Sequence, residues 1–230
     1  MRSISMIIPA ILILLALSTL SYQRNIIWGD DETLGLDMIK KSPGKARAYR
    51  DLGIYYISQE RIDEAIALFE TAIRVQPTSQ EYNNLGLIYE SRGLIDAAID
   101  MFRRAIFLDS SNAQAYNNLG KAYLLYQGRI DEAIQLFTRA LELKTPYADA
   151  SLNLAAAHIQ GRRFSAAVQI LEALIMRESG RFDAHYNLGI AYHCVGDSRG
   201  AQRELDILRG ADPSLAMRLE RLMSSPCDNK

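Results

Sequence analysis

The 230-residue sequence has only two cysteines, Cys194 and Cys227, and one tryptophan. No CxxC and no Cys/His cluster at ligand spacing is present, which excludes a ribbon- or finger-type metal site. Both cysteines are expected to be free thiols, with a pairing across the C-terminal end left open. Neither sign of charge is in excess: 26 Lys+Arg face 27 Asp+Glu, for a formal net charge of -1. There is therefore no global basic field to hold nucleic acid, and none is expected as a partner. A Gly-rich phosphate loop and a paired-carboxylate site are also missing, so no enzymatic activity, cofactor, metal or small-molecule substrate is expected.

Charge is absent in one place, from Ser3 to Gln23, where "MIIPAILILLAL" (6–17) is apolar throughout. As a helix this stretch reaches about 31 Å, close to the hydrocarbon thickness of a bilayer. Residues 3–23 therefore read as a transmembrane anchor. A cleaved secretory signal competes, because Arg2 precedes the apolar core and Ala16-Leu17-Ser18 has cleavage-like spacing. No cysteine lies near this segment, which rules out lipid attachment there. Arg2 before the helix and the acidic run Asp30-Asp31-Glu32 after it place the N-terminus inside and the bulk of the chain on the extracytoplasmic, periplasmic side. Lys40, Lys41, Lys45 and Arg47 weaken that bias.

What the chain does have is a repeat. "EYNNLG" (81–86) returns as "AYNNLG" (115–120), and the register extends in both directions. Leu52-Gly53, Leu85-Gly86, Leu119-Gly120, Leu154-Ala155 and Leu188-Gly189 are spaced by 33, 34, 35 and 34 residues. Three residues after each small residue comes Tyr56, Tyr89, Tyr123, His158 or Tyr192. An alanine follows at Ala65, Ala98, Ala133, Ala167 and Ala201, then Phe69, Phe102, Phe137, Leu171 and Leu205. Each repeat holds two helical apolar periodicities, broken near "SQER", "SRGL", "YQGR", "QGRR" and "GDSR". The small residue lets one helix approach its mate, and the large apolar residue fills the remaining space. Repeat three is one residue longer, and the insertion is placed at Gln127-Gly128, where a turn absorbs it cheaply.

This pattern resembles the tetratricopeptide repeat, with Pro77 and Pro213 ending repeats one and five in the family's manner. The resemblance implies an all-α, right-handed superhelical solenoid of five helix-turn-helix repeats with capping helices, preceded by one N-terminal membrane helix. The expected divisions are a linker and partial capping repeat over 24–45 and repeats over 46–78, 79–112, 113–147, 148–181 and 182–212. A capping helix over 213–223 and a disordered tail over 224–230 complete them. Within the linker, Tyr22, Arg24, Asn25, Trp28, Thr33, Leu34 and Pro43 resemble the junction before the repeats of membrane-embedded glycosyltransferases, although Gly35 departs from that pattern. The catalytic part of such enzymes is missing, so only an uncleaved helix followed by repeats carries over.

In the resembled family the first helices line a concave groove that takes peptides. At one groove register this chain repeats an asparagine: Asn84, Asn118, Asn153 and Asn187, with Asp51 in repeat one. A side-chain amide offers a donor and an acceptor to an extended backbone. Such a ladder resembles that of the nucleocytoplasmic O-linked N-acetylglucosamine transferase. The competing reading is that the same amides brace neighbouring helices. Asn83, Asn117, Arg50, Lys121 and Tyr186 are further groove candidates, with Ile54, Leu87, Leu152, Ala156, Ile190 and His193 beside them. Arg47 and Arg50 would attract an acidic partner. His158 and His185 occupy tyrosine positions and read as packed histidines, and His193 beside Cys194 is a remote nucleophile or metal pairing. The expected role is a non-catalytic scaffold that binds a protein or extended peptide at a membrane surface. The alternatives are an accessory domain that recruits substrate to a membrane glycosyltransferase system, and an exported soluble binding protein.

Overall fold

In the computed structural model, residues 31–227 are described. The segment expected to enter or cross a membrane, 3–23, lies outside them, and no described helix is long and apolar enough to cross a membrane. The described residues form twelve α-helices and no strand, divided into two compact units, one ending at Arg92 and one starting at Gly93.

The first unit contains α1 (Asp31–Lys41), α2 (Ala46–Ser58), α3 (Ile62–Val75) and α4 (Ser79–Ser91). Small residues set its helix contacts. A Cβ built on Gly35 would stand 2.8 Å from Leu52 Cδ1, and one on Gly53 would stand 2.8 Å from Phe69 Cε2. Leu52, Tyr56 and Ala65 form a buried cluster with Ile39 and Leu68 packed around it. The Tyr56 hydroxyl and Arg61 both donate to Glu32 Oε1, at 2.8 and 2.9 Å. These bonds, Tyr56 first, hold the Glu32 carboxyl below its usual range and tie α1 to the following pair.

The second unit contains α5 (Ile95–Leu108), α6 (Ala113–Tyr126), α7 (Ile130–Leu143), α8 (Ala148–Gln160), α9 (Phe164–Arg177), α10 (Phe182–Val195), α11 (Ser198–Ala211) and α12 (Pro213–Met223). Gly120 meets Phe137 as Gly53 meets Phe69, with a built Cβ 2.8 Å from the ring. In α8 and α9 the corresponding residues are Ala155 and Leu171, both fully buried. In this pair a methyl group on one helix accompanies the loss of a ring on the other, whereas repeat five keeps Gly189 with Leu205 and fills the space beside the glycine with Leu219 of α12. α12 closes the unit: Leu219, fully buried, lies against Gly189 of α10, and Asp212 caps the helix by accepting from Ser214 N and Leu215 N.

The turns inside repeats one, three, four and five share one construction. The backbone N–H just before the second helix donates to the carbonyl of the Tyr or His position: Arg61 to Tyr56, Arg129 to Tyr123, Arg163 to His158, Asp197 to Tyr192. The turn of every repeat also contains one left-handed residue, Glu60, Gly93, Gly128, Arg162 or Gly196, with φ between 59° and 84°. The extra residue of repeat three falls in this turn beside Gly128, because the closing bond from Arg129 to Tyr123 spans six residues where the other three span five. Glycine tolerates this conformation at no steric cost, whereas Glu60 and Arg162 adopt it against their Cβ.

Candidate peptide-binding surface

First helices are the even-numbered ones, α2 to α10, and the repeated asparagine lies on four of them. Asn84, Asn118, Asn153 and Asn187 are all half-buried, and Asp51, at the same register of α2, is exposed. The residue before each asparagine is placed more deeply. Asn83 and Asn117 are only 4% and 6% exposed, so neither is offered to a partner. Asn117 Oδ1 instead accepts from Asn153 Nδ2 at 3.0 Å, which fastens α8 to α6. One amide of the repeated series therefore braces two first helices, although its register faces the surface. Leu152 and Tyr186 hold the register of Asn117 in the next repeats and are half-buried, as is Lys121.

Arg50 has its charge committed within the fold. It donates to Glu81 Oε1 at 2.8 Å and lies 3.5 Å from Asp51, while Arg47 pairs with Asp51 at 3.3 Å. Glu81 is 1% exposed and occupies the register at which the other repeats bury Ala48, Ala115, Ala150 and Ala184. The guanidinium expected to draw an acidic partner thus compensates a buried carboxylate of its own chain.

In the first unit the asparagine borders an apolar cleft. Asn84, Ile54, Ile57 and Leu87 surround about 300 Å³ over the edge of Phe69. Ile54 and Leu87 are 50% and 38% exposed, which core packing does not require of large aliphatic side chains. Such a cleft accepts one aliphatic side chain of an extended segment, with an amide beside it for the backbone.

The histidines are structural. His185 is buried, with Nδ1 2.6 Å from Glu204 Oε2 and Nε2 3.1 Å from the Ser179 carbonyl. His158 is half-buried, and burial followed by the nearby Arg163 charge pushes its pKa down. The Tyr192 hydroxyl donates to Glu172, and burial, then that bond, raises it to about 12.

The thiols expected to be free are not. Cys194 of α10 and Cys227 form a disulfide with a Cα–Cα distance of 5.2 Å. The nucleophile or metal reading of Cys194 with His193 therefore fails, since the sulfur is covalently occupied. Among the described residues no group of His, Cys, Asp and Glu is arranged to hold a metal. His193 anchors the tail instead, with Nε2 2.9 Å from the Ser225 carbonyl, and Arg162 donates to the Cys227 carbonyl at 3.4 Å. Residues 224–227, expected to belong to a disordered tail, are held against α10 by these contacts. No spacing signal announces this pairing, because two cysteines 33 residues apart become neighbours only when α12 folds back.

Helix pairs packed small residue against large, with four of the five first helices presenting a repeated amide, define an α-helical repeat protein of the interaction type. Two models described as tetratricopeptide repeat match the sequence, one over residues 124–186 and one over 37–81, 50–113 and 83–144. Together these span well over half of the chain, which belongs to the tetratricopeptide repeat family. Its sequence matches no curated protein. Among solved structures it is similar to YrrB, described as a TPR protein with an unusual peptide-binding site. That likeness is 20% identical, covers 81% of this chain and 97% of that one, and has a TM-score of 0.66. PilW, described as a widely conserved type IV pilus biogenesis factor, is similar at 19% identity over 78% and 86% of the chains, with a TM-score of 0.69. MamA is similar at 25% identity over 75% and 96%, with a TM-score of 0.62.

Proposed function

We propose that the chain is a non-catalytic scaffold that holds an extended segment of a partner protein against its first helices, at the extracytoplasmic surface of a membrane. The observation that carries the binding role is the apolar cleft of the first unit, where Ile54 and Leu87 stay exposed beside Asn84. A purely structural repeat gains nothing by presenting aliphatic side chains there. Two further features support the location. Residues 3–23 are uncharged and long enough to span a bilayer, and the Cys194–Cys227 disulfide belongs to an oxidising compartment.

The binding role is tested by affinity capture from solubilised membranes with wild-type and Asn84→Ala/Leu87→Ala protein, folding being checked by circular dichroism. Loss of the captured partners in the folded variant is expected, and unchanged recovery of every partner would refute the role. The intact mass of protein purified from membranes tests the anchor. A mature chain that begins after the Ala16-Leu17-Ser18 region would establish the cleaved, exported form in its place.

A further inference from the structure

A cleft of the second unit lies where the folded-back tail crosses α8, α10 and α12. It encloses about 630 Å³. Ile159, Phe164, Ile190 and Leu222 supply its apolar wall, and residues 225–227 of the tail form a second wall. Three guanidiniums line it, from Arg162, Arg218 and Arg221, without any carboxylate. This concentration of one charge contrasts with a chain whose formal net charge is -1.

Most arginines elsewhere are neutralised locally. Arg209 of α11 lies 3.1 Å from Asp206 and 2.6 Å from Glu220, and Arg181 pairs with Asp149 and Asp183. Arg218 and Arg221, one turn apart on α12, have no carboxylate partner among the described residues. Arg218 lies instead over the Tyr186 ring, 5.1 Å from its centroid, and both residues are exposed. The tail shows how backbone is received here. Its irregular segment lies against α8 and α10, with the carbonyl of Ser225 facing His193 and that of Cys227 accepting from Arg162.

We propose that this cleft is a second recognition site, which takes an extended peptide segment carrying carboxylates between aliphatic side chains, and that the Cys194–Cys227 disulfide builds one of its walls. The inference rests on the scaffold reading and adds the partner's chemistry: acidic and aliphatic in alternation. Arginine prefers carboxylate because its planar fork donates two parallel hydrogen bonds, and the aliphatic wall desolvates the pair. The disulfide keeps Ser225 and Pro226 in place, so the cleft persists only while the bond is closed.

The test uses the full chain in detergent and two fluorescein-labelled heptapeptide amides, Leu-Glu-Leu-Glu-Leu-Glu-Leu and its Gln-for-Glu twin, followed by fluorescence anisotropy at low ionic strength. The Glu peptide is expected to bind about tenfold tighter than the Gln peptide. Arg218→Gln/Arg221→Gln, exposed on α12, is expected to abolish that preference and leave binding of the Gln peptide unchanged. Cys227→Ser is expected to weaken binding of the Glu peptide in the same assay. Equal binding of both peptides, a preference that survives the double substitution, or Glu-peptide binding undiminished by Cys227→Ser would overturn the site and leave the scaffold reading intact. Failure of both peptides to bind would count against the site and the scaffold reading alike. Arginine-dependent binding to phosphatidylglycerol vesicles in place of the Glu peptide would assign the cleft to lipid and overturn the proposal as well.

Discussion

Gly120→Ala is expected to destabilise the protein, and Phe137→Leu is expected to rescue it, although each change alone is harmful. A methyl group at Gly120 would stand 2.8 Å from Cε1 and 3.0 Å from Cδ1 of Phe137, a ring with no exposed surface and therefore no route of escape. Overpacking of this kind costs about 1–3 kcal/mol, and a fully enclosed ring puts the cost near the upper end. Alanine returns about 1 kcal/mol of helix propensity, which leaves a net loss of about 2 kcal/mol. Phe137→Leu alone opens a cavity beside Gly120 and costs about 1–2 kcal/mol. The double variant recreates the pair found in α8 and α9, Ala155 with Leu171, in which the methyl occupies the space the ring gives up. A nearly volume-conserving exchange costs under about 1.5 kcal/mol, so the coupling between the two changes should be about 2 kcal/mol. Urea unfolding of the four proteins, followed by circular dichroism, measures this cycle. Additivity of the single changes within about 0.5 kcal/mol would refute the claim that Gly120 and Phe137 are matched as a pair.

Three further outcomes are expected. Reduction of the disulfide, or Cys227→Ser, should lower stability by up to about 4 kcal/mol from the entropy of a loop closed over 33 residues, and an unchanged urea midpoint with and without reductant would contradict it. Glu60→Gly should raise the melting temperature, because it relieves a left-handed residue at φ 59° whose strain is about 1–2 kcal/mol, part of which is offset by greater freedom in the unfolded chain. His158, whose folded pKa lies below the unfolded value, binds its proton less readily in the fold. Its contribution is present above the unfolded pKa and is lost as pH falls toward the folded one, so stability should drop below about pH 6.5. His158→Tyr should remove that part of the acid sensitivity, and identical pH profiles for the two proteins would refute it.

The helices were legible because their signal is redundant. Leu119, Gly120, Tyr123, Ala133 and Phe137 all report the same contact, and the pattern is stated again in each repeat. The insertion at Gln127-Gly128 was legible for a related reason: the closing bond to the Tyr123 carbonyl keeps the helices in register on either side of it. Side-chain fate at the surface register was not legible, since an asparagine that braces a neighbour looks the same in sequence as one that faces solvent. Asn83 and Asn117 illustrate this, because Leu152 and Tyr186 replace them in later repeats and thereby conceal that the position is enclosed. Arg50 attracts a carboxylate of its own chain in place of an acidic partner, and the departure that employs it is visible in the sequence: Glu81 interrupts a run of alanines at one register, and a buried carboxylate needs a counter-charge. The left-handed residue of repeat four was misleading in another way. Gly161 is present in that turn, yet Arg162 beside it takes the positive φ.

The bond between Cys194 and Cys227 has a consequence for how such an array comes apart. Repeats contact only their neighbours, so each end is held from one side alone and is the natural place for fraying to begin. Here the C-terminal end is sewn shut: the segment that leaves α12 is covalently returned to the first helix of the last pair. Opening that end requires a chemical step as well as a thermal fluctuation. Thermal unravelling of the second unit is therefore biased away from its α12 end, and a reductant would restore fraying there.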